Sequence, residues 1–341
     1  MKIHAKLKTT PEDFIVEEIQ ADWHCKISSN FAQPQIQIPE SNKNFLWLEF
    51  EKRNIEHFQA MKILCDRLDK KPIEIGFAGI KDKIAHTSQR ISIEKPDIEK
   101  IKTFSHPNII LKNFQWNKRK IKTGYLDSNH FKITLRDIDK KDAIHTTSIL
   151  KKTSHFPNYF GPQRFGIEGR NLKVGKLLLK RKFHDAAKTL FPDETDLKDP
   201  LKLIRRLPKK VLLMQVQSVQ SQIFNEIVAQ ALKHKIDLNQ KGQQNGILAG
   251  YKTRFSQGKL GKIEQQVLKN HNIDLQDFDI KEIPFLRIKG SFRTALVEIK
   301  NLELESNDDE IFSPSKKITL SFTLPSGTYA TTFLENFFML Q

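Results

Sequence analysis

Residues 76–93 read GFAGIKDKIAHTSQRISI, and a single acidic side chain, Asp82, sits in a short charged break between two apolar, strand-like runs. A carboxylate on a loop between two strands is held firmly, and the lysines on either side, Lys81 and Lys83, favour its negatively charged form. That chemistry suits a nucleophile or an electrostatic stabiliser of developing positive charge. The same spacing also describes a turn-forming Asp between solvated lysines, because Asp is a good turn residue. The residue types alone leave both readings open.

The elements that must position Asp82 can be read around it. The run before it carries Ile73, Ile75, Phe77 and Ala78. The run after it alternates Thr87, Gln89, Ile91 and Ile93 against Ser88, Arg90, Ser92 and Glu94, the period of a half-buried strand. Gly76 and Gly79 allow a bend or a close backbone approach. Upstream, Phe14, Ile15 and Val16 predict a strand after the Pro11 turn, and FLWLEF at 45–50 predicts another. The polar stretch 26–44, with Pro34 and Pro39, predicts a loop. Asn54 is placed to cap a helix whose apolar stripe is Ile55, Phe58, Met61, Leu64, Cys65 and Leu68. Downstream, 131–136 alternates as a strand and 141–153 as a helix. A basic run of Lys118, Arg119, Lys120 and Lys122 follows Trp116. Strands alternating with helices in this way predict an α+β sheet domain. Beyond about residue 170 the pattern turns helical and basic. Its longest helix is predicted over 211–234, with Leu212, Val216, Val219, Ile223, Ile227 and Ala231 on one stripe. QKGQQNG at 240–246 reads as a break, and strand character returns at 293–299 and 316–324.

The chain has 341 residues and a formal net charge of +17, an excess that favours a polyanionic partner such as nucleic acid. No apolar run approaches the roughly 18–20 residues needed to span a bilayer, and the first residues lack the apolar core of a signal peptide. The two cysteines, Cys25 and Cys65, have neither disulfide-framework nor zinc-site spacing. A cytoplasmic nucleic-acid-binding protein without metal is the expectation.

Four blocks narrow that expectation. AGIKDKIAHTSQ resembles the Gly-x-Lys-Asp-x-x-Ala-x-Thr-x-Gln signature of the TruD family of tRNA pseudouridine synthases. PNYFGPQRFG at 157–166, LPSGTYAT at 324–331 and KTTPEDFIVEE at 8–18 are similar to three further blocks of that family, and the four fall in family order. The resemblance implies a pseudouridine synthase catalytic domain, α+β, built on a mixed and mainly antiparallel sheet, with a mainly helical α/β insertion domain. The implied division is 1–183 and 304–341 for the catalytic domain and 184–303 for the insertion. It implies Asp82 as nucleophile, Lys8 as the basic residue beside it, and Phe14, Asn158 and Tyr329 as substrate contacts, with Phe160 as a further aromatic candidate. Gln163 and Arg164 read as mainly structural, as do Glu12 and Asp13. The chain departs from the family pattern at Lys43–Phe45 and at Asn54–Ile55.

Pseudouridine formation breaks a glycosidic C–N bond and makes a C–C bond to the same ribose, so no cofactor is expected. The target uridine must leave its stack and be held by stacking and edge hydrogen bonds. The expected partner is tRNA, the expected position uridine-13, and the expected state a monomer. The reading from another class is a non-catalytic RNA-binding or RNA-folding protein on the same scaffold, which the charge serves equally well.

Overall fold

The structure, a computed structural model, describes residues 2–21, 23–194, 198–239 and 245–341. Residues 240–244 of the expected break therefore lie outside the described residues. The chain divides into two compact units, Met1–Ser154 with Glu298–Gln341, and His155–Val297.

The first unit is built on a nine-stranded sheet. Its strands are β1 (Phe14–Gln20), β2 (Trp23–His24), β3 (Phe45–Arg53), β4 (Ile75–Phe77), β5 (His86–Glu94), β6 (Ile109–Asn117), β7 (Ser128–Ile138), β8 (Lys300–Asp308) and β9 (Lys316–Pro325). The main path runs β8-β9-β7-β1-β5-β3-β6, with β2 beside β1 and β4 beside β5. Every pairing is antiparallel except β1 with β5, where Ile15, Val16 and Glu17 face His86, Thr87 and Ser88. The sheet is thus mixed and mainly antiparallel, as expected.

One sheet face packs Leu46, Leu48 and Phe50 of β3 and Ile91 and Ile93 of β5 against α1 (His57–Leu68) and α2 (Ile98–Lys102). A helix α3 (Lys140–Leu150) follows β7. The α1 stripe differs from the expected one at its start, where His57 and Ala60 stand in place of Ile55, which precedes the helix, and Phe58. His57, Ala60, Met61, Leu64, Cys65 and Leu68 are buried, whereas Phe58 is exposed. The helix begins later than expected because Asn54 is not its cap. Asn54 takes a left-handed φ of 50°, which Asn tolerates well, and Glu56 caps the helix by accepting from the Gln59 amide at 2.8 Å.

β5 is also not half-buried. Ser88, Arg90 and Ser92, the expected outer face, are buried like Ile91. Cover from neighbouring side chains and loops explains part of it: Arg90 stacks on Trp23 and Trp47, Trp23 donates to Glu49 at 2.7 Å, and Ser92 accepts from the Ile121 amide at 3.0 Å. Part of the loop after β2 folds back over this polar face, with Ser28 donating to Glu51.

The second unit is mainly helical, with α4 (Arg170–Leu179), α5 (Phe183–Leu190), α6 (Pro200–Arg205), α7 (Lys209–Lys233) and α8 (Gly258–Asn270). Leu212, Val216, Val219, Ile223, Ile227 and Ala231 of α7 are all buried, as the stripe predicts. Gly175 lets α4 lie against α7, since a Cβ there would stand 2.1 Å from the Gln215 carbonyl oxygen. Residues Asn245–Leu248 and Ser291–Thr294 form a small antiparallel pair. Among the described residues no helix is long and apolar enough to cross a membrane.

Candidate active site

Asp82 lies on the loop joining β4 to β5, and that loop is tied down on several sides. Gln89 donates to the Gly79 carbonyl at 3.2 Å, and the Gly124 amide donates to Ala78 at 2.8 Å. The Asn54 amide donates to Ala85 at 3.1 Å. Gly76 allows the close approach its type suggests: a Cβ would meet the Ile121 carbonyl oxygen at 2.3 Å. Gly79 faces open space instead. On this fixed loop the Asp82 side chain is about half exposed, at 51 %.

Lys8 provides the cation at Asp82. Its Nζ donates to Oδ1 at 2.8 Å and lies 4.2 Å from the centre of the Phe14 ring. Lys8 adopts a left-handed φ of 59°, a conformation that costs a non-glycine residue about 1 kcal/mol and often marks functional positions. Phe14 is buried beneath it, so its ring supports the ammonium rather than offering an open face. From Phe14 an aromatic series crosses the sheet. Phe14 meets Phe131 edge-on at 6.4 Å, Phe131 stacks on Phe322 at 5.5 Å, and Phe322 meets Phe333 at 5.0 Å. Phe333 belongs to the short helix Ala330–Leu334, which begins directly after Tyr329. Tyr329 itself is 62 % exposed. The two ends of the chain are therefore packed into one core behind Lys8.

The neighbouring carboxylates are engaged elsewhere. Glu12 is paired with Arg53. Asp13 accepts from Arg136 Nε at 2.9 Å through both oxygens, and Arg136 also reaches Asp309 at 2.9 Å. Glu18 is buried and faces Lys81 at 3.3 Å. Burial pushes Glu18 upward, and Lys81 only partly offsets it.

Asn158 and Phe160 lie in the second unit, where Arg293 joins them. Arg293 donates to Asn158 Oδ1 at 2.6 Å and its guanidinium lies 4.2 Å from the Phe160 ring centre. Asn158 Nδ2 donates to the Thr294 carbonyl at 3.0 Å, and the residue is buried. Phe160 exchanges backbone hydrogen bonds with the Asn225 amide of α7. Arg164 donates to Ser221 and Gln217 of the same helix, each at 3.1 Å, which is a bracing role. The six candidate residues thus form two groups. Lys8 touches both Phe14 and Asp82, Tyr329 precedes the helix on which the aromatic series ends, and Asn158 and Phe160 meet around Arg293.

The sequence profile of the family described as tRNA pseudouridine synthase D (TruD) matches residues 1–201 and 241–337. The chain belongs to the TruD family. It is 30% identical to a relative from Methanococcus vannielii named as a probable tRNA pseudouridine synthase D, covering 97% of this chain and 94% of that protein. A relative of the same description from Methanocaldococcus jannaschii is 29% identical over the same shares. A crystal structure of a TruD protein from Methanosarcina mazei superposes with a TM-score of 0.80 at 26% identity, covering 99% of this chain and 94% of that one.

Within this TruD chain, three site features escaped the sequence reading. Lys81 does not flank the Asp82 carboxylate. It turns inward, is buried, and donates to Asn129 at 2.6 Å. Lys52 is fully buried and donates to the backbone carbonyls of Asp82 and, at 2.9 Å, Ile55. His57 is buried, and neither ring nitrogen has a hydrogen-bond partner among the described residues. Burial and the Lys52 charge lower its pKa to about 4. A signal for Lys52 existed: it continues the inward phase of Leu46, Leu48 and Phe50. Among the described residues no group of three or more His, Cys, Asp or Glu is arranged to hold a metal ion.

Proposed function

We propose that this chain converts uridine to pseudouridine in tRNA, with Asp82 as nucleophile and no cofactor. Membership of the TruD family supports the reaction class. The observation that carries the residue assignment is a half-exposed carboxylate on a pinned loop, paired with one ammonium, while its neighbours are engaged elsewhere. The reaction is an isomerisation. The ribose C1′–N1 bond breaks, the uracil turns, and a C1′–C5 bond forms. A proton leaves C5 and N1 regains one, so no co-reactant is consumed.

In this reading Lys8, backed by Phe14, orients Asp82. Tyr329 offers its exposed ring to the extruded base, which stacking would hold by about 1–3 kcal/mol. Asn158 and Phe160 belong to the substrate contacts of the second unit, and the +17 charge draws the tRNA. We place the family insertion at 184–303, the target at uridine-13 and the protein in the cytoplasm as a monomer. A non-catalytic RNA binder would use the charge alone and has no need of a carboxylate held in this way.

The test is to incubate the purified protein with an unmodified tRNA transcript and map carbodiimide-adduct stops by primer extension. A stop at uridine-13 without added cofactor supports the proposal. Stops only at other uridines remove the position. Absence of any stop, with tRNA still bound, favours the binding protein.

A further inference from the structure

The most unusual group near Asp82 is a lysine that makes no ion pair among the described residues. Lys52 has no accessible surface, although Lys is among the residues least often buried without a partner. Its ammonium reaches from the end of β3 to two main-chain carbonyls, Ile55 O at 2.9 Å and Asp82 O. One is just ahead of α1 and the other belongs to the residue proposed to react. We propose that Lys52 is a positioning residue for pseudouridine formation, fixing the Asp82 backbone from beneath so that the carboxylate above keeps its place beside Lys8. The inference rests on the proposed role of Asp82.

The surroundings make this tether dependent on a proton. Burial lowers Lys52 to about 8, opposed by the charges of Asp82 and Glu56 and reinforced by Lys81 and Lys8. His57, at the start of α1, also faces it and stays neutral well above pH 4. A neutral amine donates more weakly to a carbonyl than an ammonium does. The grip on the Asp82 backbone should therefore slacken as pH rises through about 8. A side chain kept for stability would not be expected to carry a buried charge, since an apolar group of the same length could fill the space without desolvating an ion.

The experiment compares wild type, Lys52→Met, Lys52→Gln and Asp82→Asn. Single-turnover rates at saturating tRNA, tRNA Kd and melting temperature are measured at pH 7, and rates are then followed from pH 7 to 9.5. The expected result is a rate at least about tenfold lower in both Lys52 variants, with Kd changed less than about threefold. The wild-type rate should fall above about pH 8, and the Lys52→Gln rate should show no such fall. Variants with the wild-type rate overturn the inference, as does a rate loss matched by an equal loss of tRNA affinity. If neither variant folds, the wild-type profile decides, and a rate that stays flat to pH 9.5 overturns the inference. The proposed function fails separately: it is sunk if wild type makes no pseudouridine or if Asp82→Asn makes it normally.

Discussion

Replacing Asp82 by Asn separates the chemistry of this site from its architecture. The side chain keeps its volume and loses one charge and the oxygen proposed as nucleophile. The interaction removed is one ion pair with Lys8, formed by an Asp82 side chain that is 51 % exposed. Pairs so exposed contribute about 0–1 kcal/mol. For a chain of this size the melting temperature should therefore move by no more than roughly 2–4 °C. The interactions that shape the loop use main-chain atoms or other side chains: Lys52 to Asp82 O, Gln89 to Gly79 O, and Lys81 to Asn129. Asn leaves all of them in place. Affinity for tRNA should hold or rise slightly, because a negative charge facing a polyanion has been removed. Turnover should fall to background, since Glu12, Asp13 and Glu18 are tied to Arg53, Arg136 and Lys81. The assay is single-turnover pseudouridine formation at saturating tRNA, read by carbodiimide primer extension beside a melting curve. Pseudouridine formed by Asp82→Asn at a rate near wild type would refute the reasoning, because no engaged neighbour can replace a missing nucleophile.

Other perturbations test other parts of the molecule. Asn158→Ala removes the acceptor of Arg293 and the donor to Thr294 from a buried position, so it should cost about 1–3 kcal/mol as well as turnover. An unchanged melting curve would deny the structural half of that statement. Reversing the exposed Lys118 and Arg119 to Glu should weaken tRNA binding and lower its log-salt slope by about 0.7–0.9 for each phosphate that is no longer neutralised, and an unaltered slope would place the RNA path elsewhere. For Glu51, burial alone would raise the pKa, but bonds from His86 at 2.7 Å, Lys112 and Ser28 outweigh it and hold the group at about 2. A lowered carboxylate stabilises the fold above its unfolded value near 4.5 and loses that effect as pH falls through about 2, a span equivalent to about 3 kcal/mol. The stability gap between wild type and Glu51→Gln should therefore be wide at pH 7 and nearly closed at pH 2. Urea titrations giving the same gap at both pH values would contradict it.

The fold was legible wherever periodicity answered to one packed face. The α7 stripe and the strands at 45–50 and 131–136 were read from their spacing, because each buries a regular set of apolar side chains. Reading failed where burial did not follow hydrophobicity. Ser88, Arg90 and Ser92 alternate like a solvent face, yet β5 is central in the sheet, and the segment after β1 brings Trp23 over Arg90. Alternation shows which residues share a face but not whether a polar face is later roofed over. Phe58 was misplaced for a different reason: the buried stripe is centred on His57, Leu64 and Leu68, and Phe58 falls just beyond Cys65 at its rim.

The candidate site was legible through its motif residue and illegible through the side chains that hold its loop, and one cause underlies both. Asp82 is exposed in a charged break, where sequence carries a clear mark. Lys52 and Lys81 make their hydrogen bonds from inside, and charged residues are by default read as outward-facing. Only phase argues otherwise. Lys52 stands two residues beyond Phe50 on the strand that carries Leu46 and Leu48 inward, and nothing in its own chemistry says so. Burying these ammonium groups opposes the fold, as the lowered Lys52 pKa records. Their hydrogen bonds to Asp82 O, Ile55 O and Asn129 give that burial a single direction: they fix the loop and leave the Asp82 carboxylate to Lys8 and the solvent. A Lys81 turned outward would carry its charge beside the carboxylate. With Lys81 turned inward and Lys52 on the backbone, the Asp82 oxygens stay accessible, as the proposed attack on an extruded nucleotide requires.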